Sequence, residues 1–405
     1  MPYKKTAAPG FAEFITLMAM MMSLVALSID TMLPALSDIG KELGVLEENS
    51  NQLIISILFL GMASGQLLYG PISDSTGRKP AIYIGYGLFV TGTLLSFYAA
   101  SFPVMLTGRI LQGFGAAGPR IVSLALVRDR YEGRDMARVM SFVMTVFILV
   151  PIVAPALGQL VILLAGWRAI FALFLALALL SVFWFGIRQP ETLAPEKRIP
   201  FSFNRVTAAV REILGNRRAL GYTVTAGLAF GAFLGYLNSA QQIFQTEYAL
   251  GEHFPLYFAA LAFSIGCASF FNARLLLHFT MQALSRRAIL TINGLSAAFV
   301  IFALLHGGHP PLWTLMAYLL LTFFSTGILF GNLNSLAMEP LGHIAGIGAG
   351  VVGSLSTFIS LIIGTAIGQS YNGTVLPLST GFFILSLASL GAMRWAEKDK
   401  SVFLS

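Results

Sequence analysis

Apolar stretches long enough to cross a lipid bilayer recur along almost the whole chain, and they restrict it more than any other feature. A crossing helix needs roughly 20 apolar residues. About twelve stretches meet that length, near residues 11–36, 49–70, 80–100, 103–128, 137–163, 167–187, 220–246, 253–275, 288–306, 310–338, 341–369 and 373–394. With 56% hydrophobic and only 11% charged residues among 405, the chain has too few polar groups to cover a water-exposed globular surface. We therefore expect an all-α integral membrane protein. The first stretch is too long, and followed by too many others, for a cleaved signal peptide, so it is expected to be the first permanent helix.

The basic residues fix an expected orientation. With a cytoplasmic amino terminus, the inner loops collect Lys4, Lys5, Arg78, Lys79, Arg128, Arg130, Arg134, Arg138, every basic residue from Arg188 to Arg218, Arg286, Arg287, Arg394, Lys398 and Lys400, leaving Lys41 and Arg168 outside. This split matches the positive-inside rule for an even number of spans with both termini in the cytoplasm. It also accounts for the net charge of +7 without a nucleic-acid partner. The longest polar interval, near 188–219, carries Pro190, Pro195 and Pro200 and reads as a cytoplasmic linker between an amino-terminal bundle (1–187) and a carboxy-terminal bundle (220–405) of six helices each. "GRKPAI" after the second helix is echoed by "SRRAI" after the eighth, as in transporters built from parallel repeats. The single cysteine, Cys267, excludes an internal disulfide framework and reads as a small core residue.

Between the second and third helices, "GPISDSTGRKP" (70–80) interrupts the apolar pattern with a compact charged turn. Gly70 and Pro71 are expected to stop one helix, Gly77 to allow a tight turn, and Asp74 to face a positive helix end within reach of Arg78 four residues on. The longer string "GQLLYGPISDSTGRKP" resembles the signature loop of the major facilitator superfamily, with Ser75 in place of its usual basic residue. "RILQGFGAAG", from Arg109, resembles the fourth-helix motif of the family's proton-coupled drug antiporters. "VPIVAPALGQ" (150–159) resembles their fifth-helix motif, although Leu149, Ala154 and Gln159 stand where that pattern has glycine. With "LSIDTMLPAL" in the first helix and "VRDRY" after the fourth, the chain is similar to the bicyclomycin/chloramphenicol resistance (Bcr/CflA) branch of drug:proton antiporters. The resemblance implies two six-helix bundles, a monomer in a bacterial inner membrane, no cofactor, and a conformational lock built from Asp74, Gly77 and Arg78. It also implies that the helix bent at Pro151 and Pro155, with Gly158 following, seals the bundle against leakage.

Charges at membrane depth are expensive, so each suggests a cavity or a partner. Asp30 lies about 19 residues into the first helix and Arg109 about six into the fourth, which runs the other way, so the two are expected at similar depth. A buried carboxylate holds its proton more tightly, and a nearby guanidinium loosens it again. Asp30 is therefore expected to take the coupling proton while Arg109 tunes it, each inward proton releasing a cationic or neutral drug outward. The alternative for Asp30 is a helix-end residue at the outer surface. Arg109, Gln112, Ala116 and Arg120 share one face of the fourth helix, and a Glu13–Arg120 contact at the inner end is a further expectation. Gly113 and Ala117 form a small-xxx-small pair for close helix approach. In the seventh helix, "GYLNSAQQIFQTEY" (235–248) offers Tyr236, Asn238, Gln241 and Phe244, which with Gln112, Glu13 and Arg120 form the candidate substrate-binding set; the alternative is a wet helix end.

Glu339, followed by Pro340, is expected in a loop, and His306 and His309 flank two glycines without companions at metal-ligand spacing. No metal site is expected, and no nucleophile elbow or phosphate-binding loop appears, which argues against an enzyme or an ATP-driven pump. The expected function is proton-coupled efflux of small amphipathic drugs by alternating access; the alternative is export of an endogenous metabolite such as a sugar or an amino acid.

Overall fold

The structure is a computed structural model that describes residues 9–398, so Lys4, Lys5 and Lys400 of the orientation argument lie outside it. The apolar stretches form spanning helices α1 (Phe11–Asp30), α2 (Leu53–Thr76), α3 (Arg78–Phe97), α4 (Phe102–Arg130), α5 (Gly133–Ala165) and α6 (Arg168–Arg188). The second set is α7 (Arg217–Gln241), α8 (Phe254–Leu275), α9 (Met281–Leu305), α10 (Leu312–Met338), α11 (Ala345–Gln369) and α12 (Leu376–Glu397). Helix α10 runs into α11 as one apolar segment of 58 residues, broken at Leu341, whose φ of −107° and ψ of 20° leave the helical region. Twelve crossings put both ends of the described chain on one face of the bundle, termed here the terminal face. The sharpest turn is the one with the charged motif: Gly77, at φ 107°, joins α2 directly to α3 in a conformation closed to side-chain-bearing residues.

Small residues set how closely the helices pack. A Cβ on Gly113 would stand 2.0 Å from the Leu58 carbonyl oxygen, and one on Gly61 would stand 2.0 Å from that of Ile110, so α2 and α4 touch backbone to backbone. Across the molecule α2 packs on α11 and α5 on α8, joining the first six helices to the last six. The interval after α6 is more structured than a plain linker. It contains the helix Phe203–Gly215, whose Val206, Ala209 and Ile213 share one face and are buried where it packs on α11 and α7.

Candidate functional site

Between the two sets of helices lies a cavity of about 570 Å³ whose walls come from α1, α2, α4 and α5 on one side and α7, α8, α10 and α11 on the other. Its lining is mostly apolar, with a cluster of aromatic rings. Phe230 stands 5.9 Å from Phe59 and 5.6 Å from Phe330, and Phe233 stands 5.5 Å from Phe323 and 6.1 Å from Tyr236, ring centre to ring centre. Such rings accept flat apolar molecules on their faces and edges.

Asp30 lies at the deep end. As the last residue of α1, before Leu33 and Pro34 turn the chain, it is only 5% exposed yet lines the cavity, so it is not the surface helix end that was its alternative. Among the described residues its carboxylate makes no hydrogen bond or ion pair. Tyr236 is the other polar group at this end, and its buried hydroxyl also has no hydrogen-bond partner among the described residues.

Arg109 is fully buried and close by, but its guanidinium is engaged elsewhere. It donates to the carbonyls of Ile54 (3.0 Å) and Ser28 (2.8 Å) and to the Gln112 side chain, which in turn donates to Thr93 Oγ1 (2.9 Å). The expected direct partnership with Asp30 is therefore replaced by an indirect one: Arg109 grips the backbone two residues before Asp30, because helix carbonyls occupy its fork. Gln112, a candidate of the substrate-binding set, is held between Arg109 and Thr93 and does not line the cavity.

The other candidates divide. Tyr236 and Arg120 line the cavity. Asn238 sits instead in a seam between the halves, accepting from Ser56 Oγ (3.1 Å) and donating to the Gly364 carbonyl (3.1 Å). Gln241 bonds Gln245 one turn on (3.1 Å), and Phe244 is sealed among Tyr236, Phe254 and Tyr257. The expected Glu13–Arg120 contact is absent. Glu13 receives Arg188 through two bonds (2.6 and 2.8 Å) and Trp184 (3.2 Å), both from α6, while the part of α4 beside the start of α1 is its last turn, where Arg130 donates to the Pro9 carbonyl, ten residues on from Arg120. Arg120 donates only to Met62 Sδ (3.5 Å) and lies 5.9 Å from the centre of the Phe147 ring.

The seam closes the deep end with side chains that sequence reasoning missed. Asn49 donates to the carbonyls of Gln369 (3.1 Å) and Tyr371 (2.9 Å), Gln369 returns a bond to the Asn49 carbonyl (2.8 Å), and Gln242 donates to Asn49 Oδ1 (2.8 Å) and accepts from Gln52. The polar run "EENSNQ" before α2 was the only local signal. Toward the terminal face, Gly331 and Asn334 of the cavity wall are exposed.

On that face the charged turn is a hub. Arg78 donates to Asp74 (2.6 Å), Ser73 (2.9 Å) and Asp129 at the end of α4 (2.8 Å), while Glu191 accepts the backbone N–H groups of Arg78 (2.9 Å) and Lys79 (3.0 Å). Thr192 adds a bond to Asp129 (2.7 Å), and the Ile199 N–H a bond to the Asp74 carbonyl (3.0 Å). The bonds of the turn run within the first six helices and to the segment after α6. Asp129 was visible inside "VRDRY"; Glu191 had no local signature.

Pro151 lines the cavity, and Pro155 lies one turn on within the continuous α5. A Cβ on Gly158 would stand 2.1 Å from the carbonyl oxygen of Thr31, so α5 presses on the residue beside Asp30. Glu339 pairs with Arg218 (2.6 Å), and His309, expected in a bland loop, bonds Glu247. Among the described residues no group of three histidines, cysteines or carboxylates is placed to hold a metal.

The profile of the Major Facilitator Superfamily matches residues 11–365. The chain is 29% identical to the "Uncharacterized MFS-type transporter YdgK" of Bacillus subtilis over 95% of each chain. It is 28% identical to the "Bicyclomycin resistance protein homolog" of Haemophilus influenzae over 90% of this chain and 91% of the relative, in line with the Bcr/CflA resemblance. A D-xylose-proton symporter structure superposes with a TM-score of 0.70 at 15% identity, covering 96% of this chain and 98% of that one, a likeness of fold. Twelve spanning helices around a central cavity, in a chain matched along most of its length, place this protein in the major facilitator superfamily, as a membrane transporter rather than an enzyme.

Proposed function

We propose that the protein is a proton-coupled antiporter that expels small amphipathic drugs across a bacterial inner membrane by alternating access. The observation that carries this reading is Asp30: a carboxylate without a basic partner among the described residues, at the deep end of an aromatic cavity. Such a group is stable at membrane depth only when protonated or neutralised by a bound ligand, so proton and drug compete for one position. The two six-helix halves, 1–187 and 220–405, rock about the cavity, with the terminal face in the cytoplasm, a reading supported by the basic loops. The seam at Asn49, Gln242 and Gln369 is the outer gate in its closed form. The Asp74–Arg78–Asp129 hub stiffens the inner ends of the first half and is remade as the halves move. The protein works as a monomer.

The test uses everted membrane vesicles energised by respiration, with a pH-sensitive dye and successive additions of chloramphenicol, bicyclomycin, a quinolone and a lipophilic cation. Dye recovery with the unsubstituted protein and none with Asp30→Asn is the expected result. Silence with every compound from folded protein would overturn drug efflux and favour a metabolite such as a sugar or an amino acid.

A further inference from the structure

In the wall of the cavity stands a cation that the coupling scheme does not use. Arg120 lines the cavity, and its guanidinium meets only a thioether sulfur and an aromatic ring. The two buried arginines are both engaged with oxygen: Arg109 with two carbonyls and an amide, Arg78 with two aspartates and a serine. A guanidinium presents five donors in a planar fork suited to carboxylate, sulfonate or phosphate, and here four or more of those donors are unused among the described residues. Its separation from Asp30 is also defined. Arg109 touches the end of α1, and Arg120 follows eleven residues later along α4, about 16 Å at 1.5 Å per residue. Between them runs the aromatic wall of Phe59, Phe230 and Phe233.

We propose that Arg120 is the receptor for an anionic group on the transported molecule, whose flat apolar body lies along the aromatic wall toward Asp30. This rests on the reading of the cavity as the drug site and narrows it: the substrate class is amphipathic organic anions or zwitterions, where the sequence pointed to cationic or neutral drugs. A purely structural arginine would have its fork filled by protein oxygen, as Arg109 has.

The test measures binding of two dyes to the purified full-length protein in neutral phosphatidylcholine nanodiscs, each signal read above empty discs. The dyes are 1-anilinonaphthalene-8-sulfonate and N-phenyl-1-naphthylamine, which share a ring system and differ by the sulfonate. Arg120→Gln is expected to weaken the sulfonate dye at least tenfold while the neutral dye stays within twofold. Met62→Glu, which sets a carboxylate beside the guanidinium, is expected to do the same. Unchanged sulfonate binding, or equal weakening of both dyes, overturns the assignment. The unsubstituted protein gives a check that needs no variant: naphthalene-1-sulfonate should displace the sulfonate dye at least tenfold better than naphthalene-1-sulfonamide, and equal displacement overturns the anion receptor. Binding of neither dye to folded protein would instead overturn the cavity as an amphiphile site, and the receptor with it.

Discussion

Asp30, a buried carboxylate without a side-chain partner among the described residues, is the residue on which the proposed coupling turns. Replacing Asp30 by asparagine keeps size and polarity but removes the exchangeable proton, so the variant should reach the membrane in normal amounts and melt within a few degrees of the parent while losing drug-driven proton movement. Arg109 acts on the same site by holding the backbone at Ser28 and Ile54, so Arg109→Lys, which keeps the charge and loses the fork, should impair transport and stability together. On the terminal face, Asp129→Ala removes the carboxylate nearest to Arg78 Nε and should lower stability by about 1.5–3 kcal/mol, the scale for hydrogen bonds to a charged group, read as a lower Tm in detergent. The sequence made Asp30, Arg109, Asp74 and Arg78 legible because charge is rare in spans and each lies in a short motif. It misplaced Glu13 and Asn238 because their partners, Arg188 and Ser56, lie 175 and 182 residues away.

At the scale of elements, boundaries were readable because a bilayer imposes helix length and because Gly77 breaks the chain between α2 and α3, but Gly70 and Pro71, expected to stop the second helix, lie inside α2, which runs on to Thr76. The helix Phe203–Gly215 was not readable: its apolar face of Val206, Ala209 and Ile213 is too short to stand out between charged neighbours. Close contact between elements gives a sharper prediction. Gly158→Ala places a methyl 2.1 Å from the Thr31 carbonyl oxygen and must shift the end of α1, so transport should fall well before expression does. Gly294, with nothing within 4 Å of its Cβ position, is the matched control, and Gly294→Ala should leave transport unchanged and be neutral or stabilising by about 0.5–1 kcal/mol.

For the whole molecule, the central statement is that two halves exchange access to one cavity. The polar interval near 188–219 and the faint internal repeat suggested two halves, whereas nothing local signalled the seam, since Asn49 and Gln369 are 320 residues apart. Cysteines at these two positions, Asn49→Cys with Gln369→Cys, should be joined by a short bifunctional maleimide; the joined protein should stop transporting, with each single variant active under the same reagent. Full transport by the joined protein would contradict rocking of the halves about the cavity. The most direct measurement is proton release from purified protein in weakly buffered detergent on addition of a compound that scored in the vesicle assay. Asp30 exchanging a proton for that compound predicts release of about one proton per bound molecule from the parent and none from Asp30→Asn. Equal release from both, with binding intact, would contradict Asp30 as the coupling group.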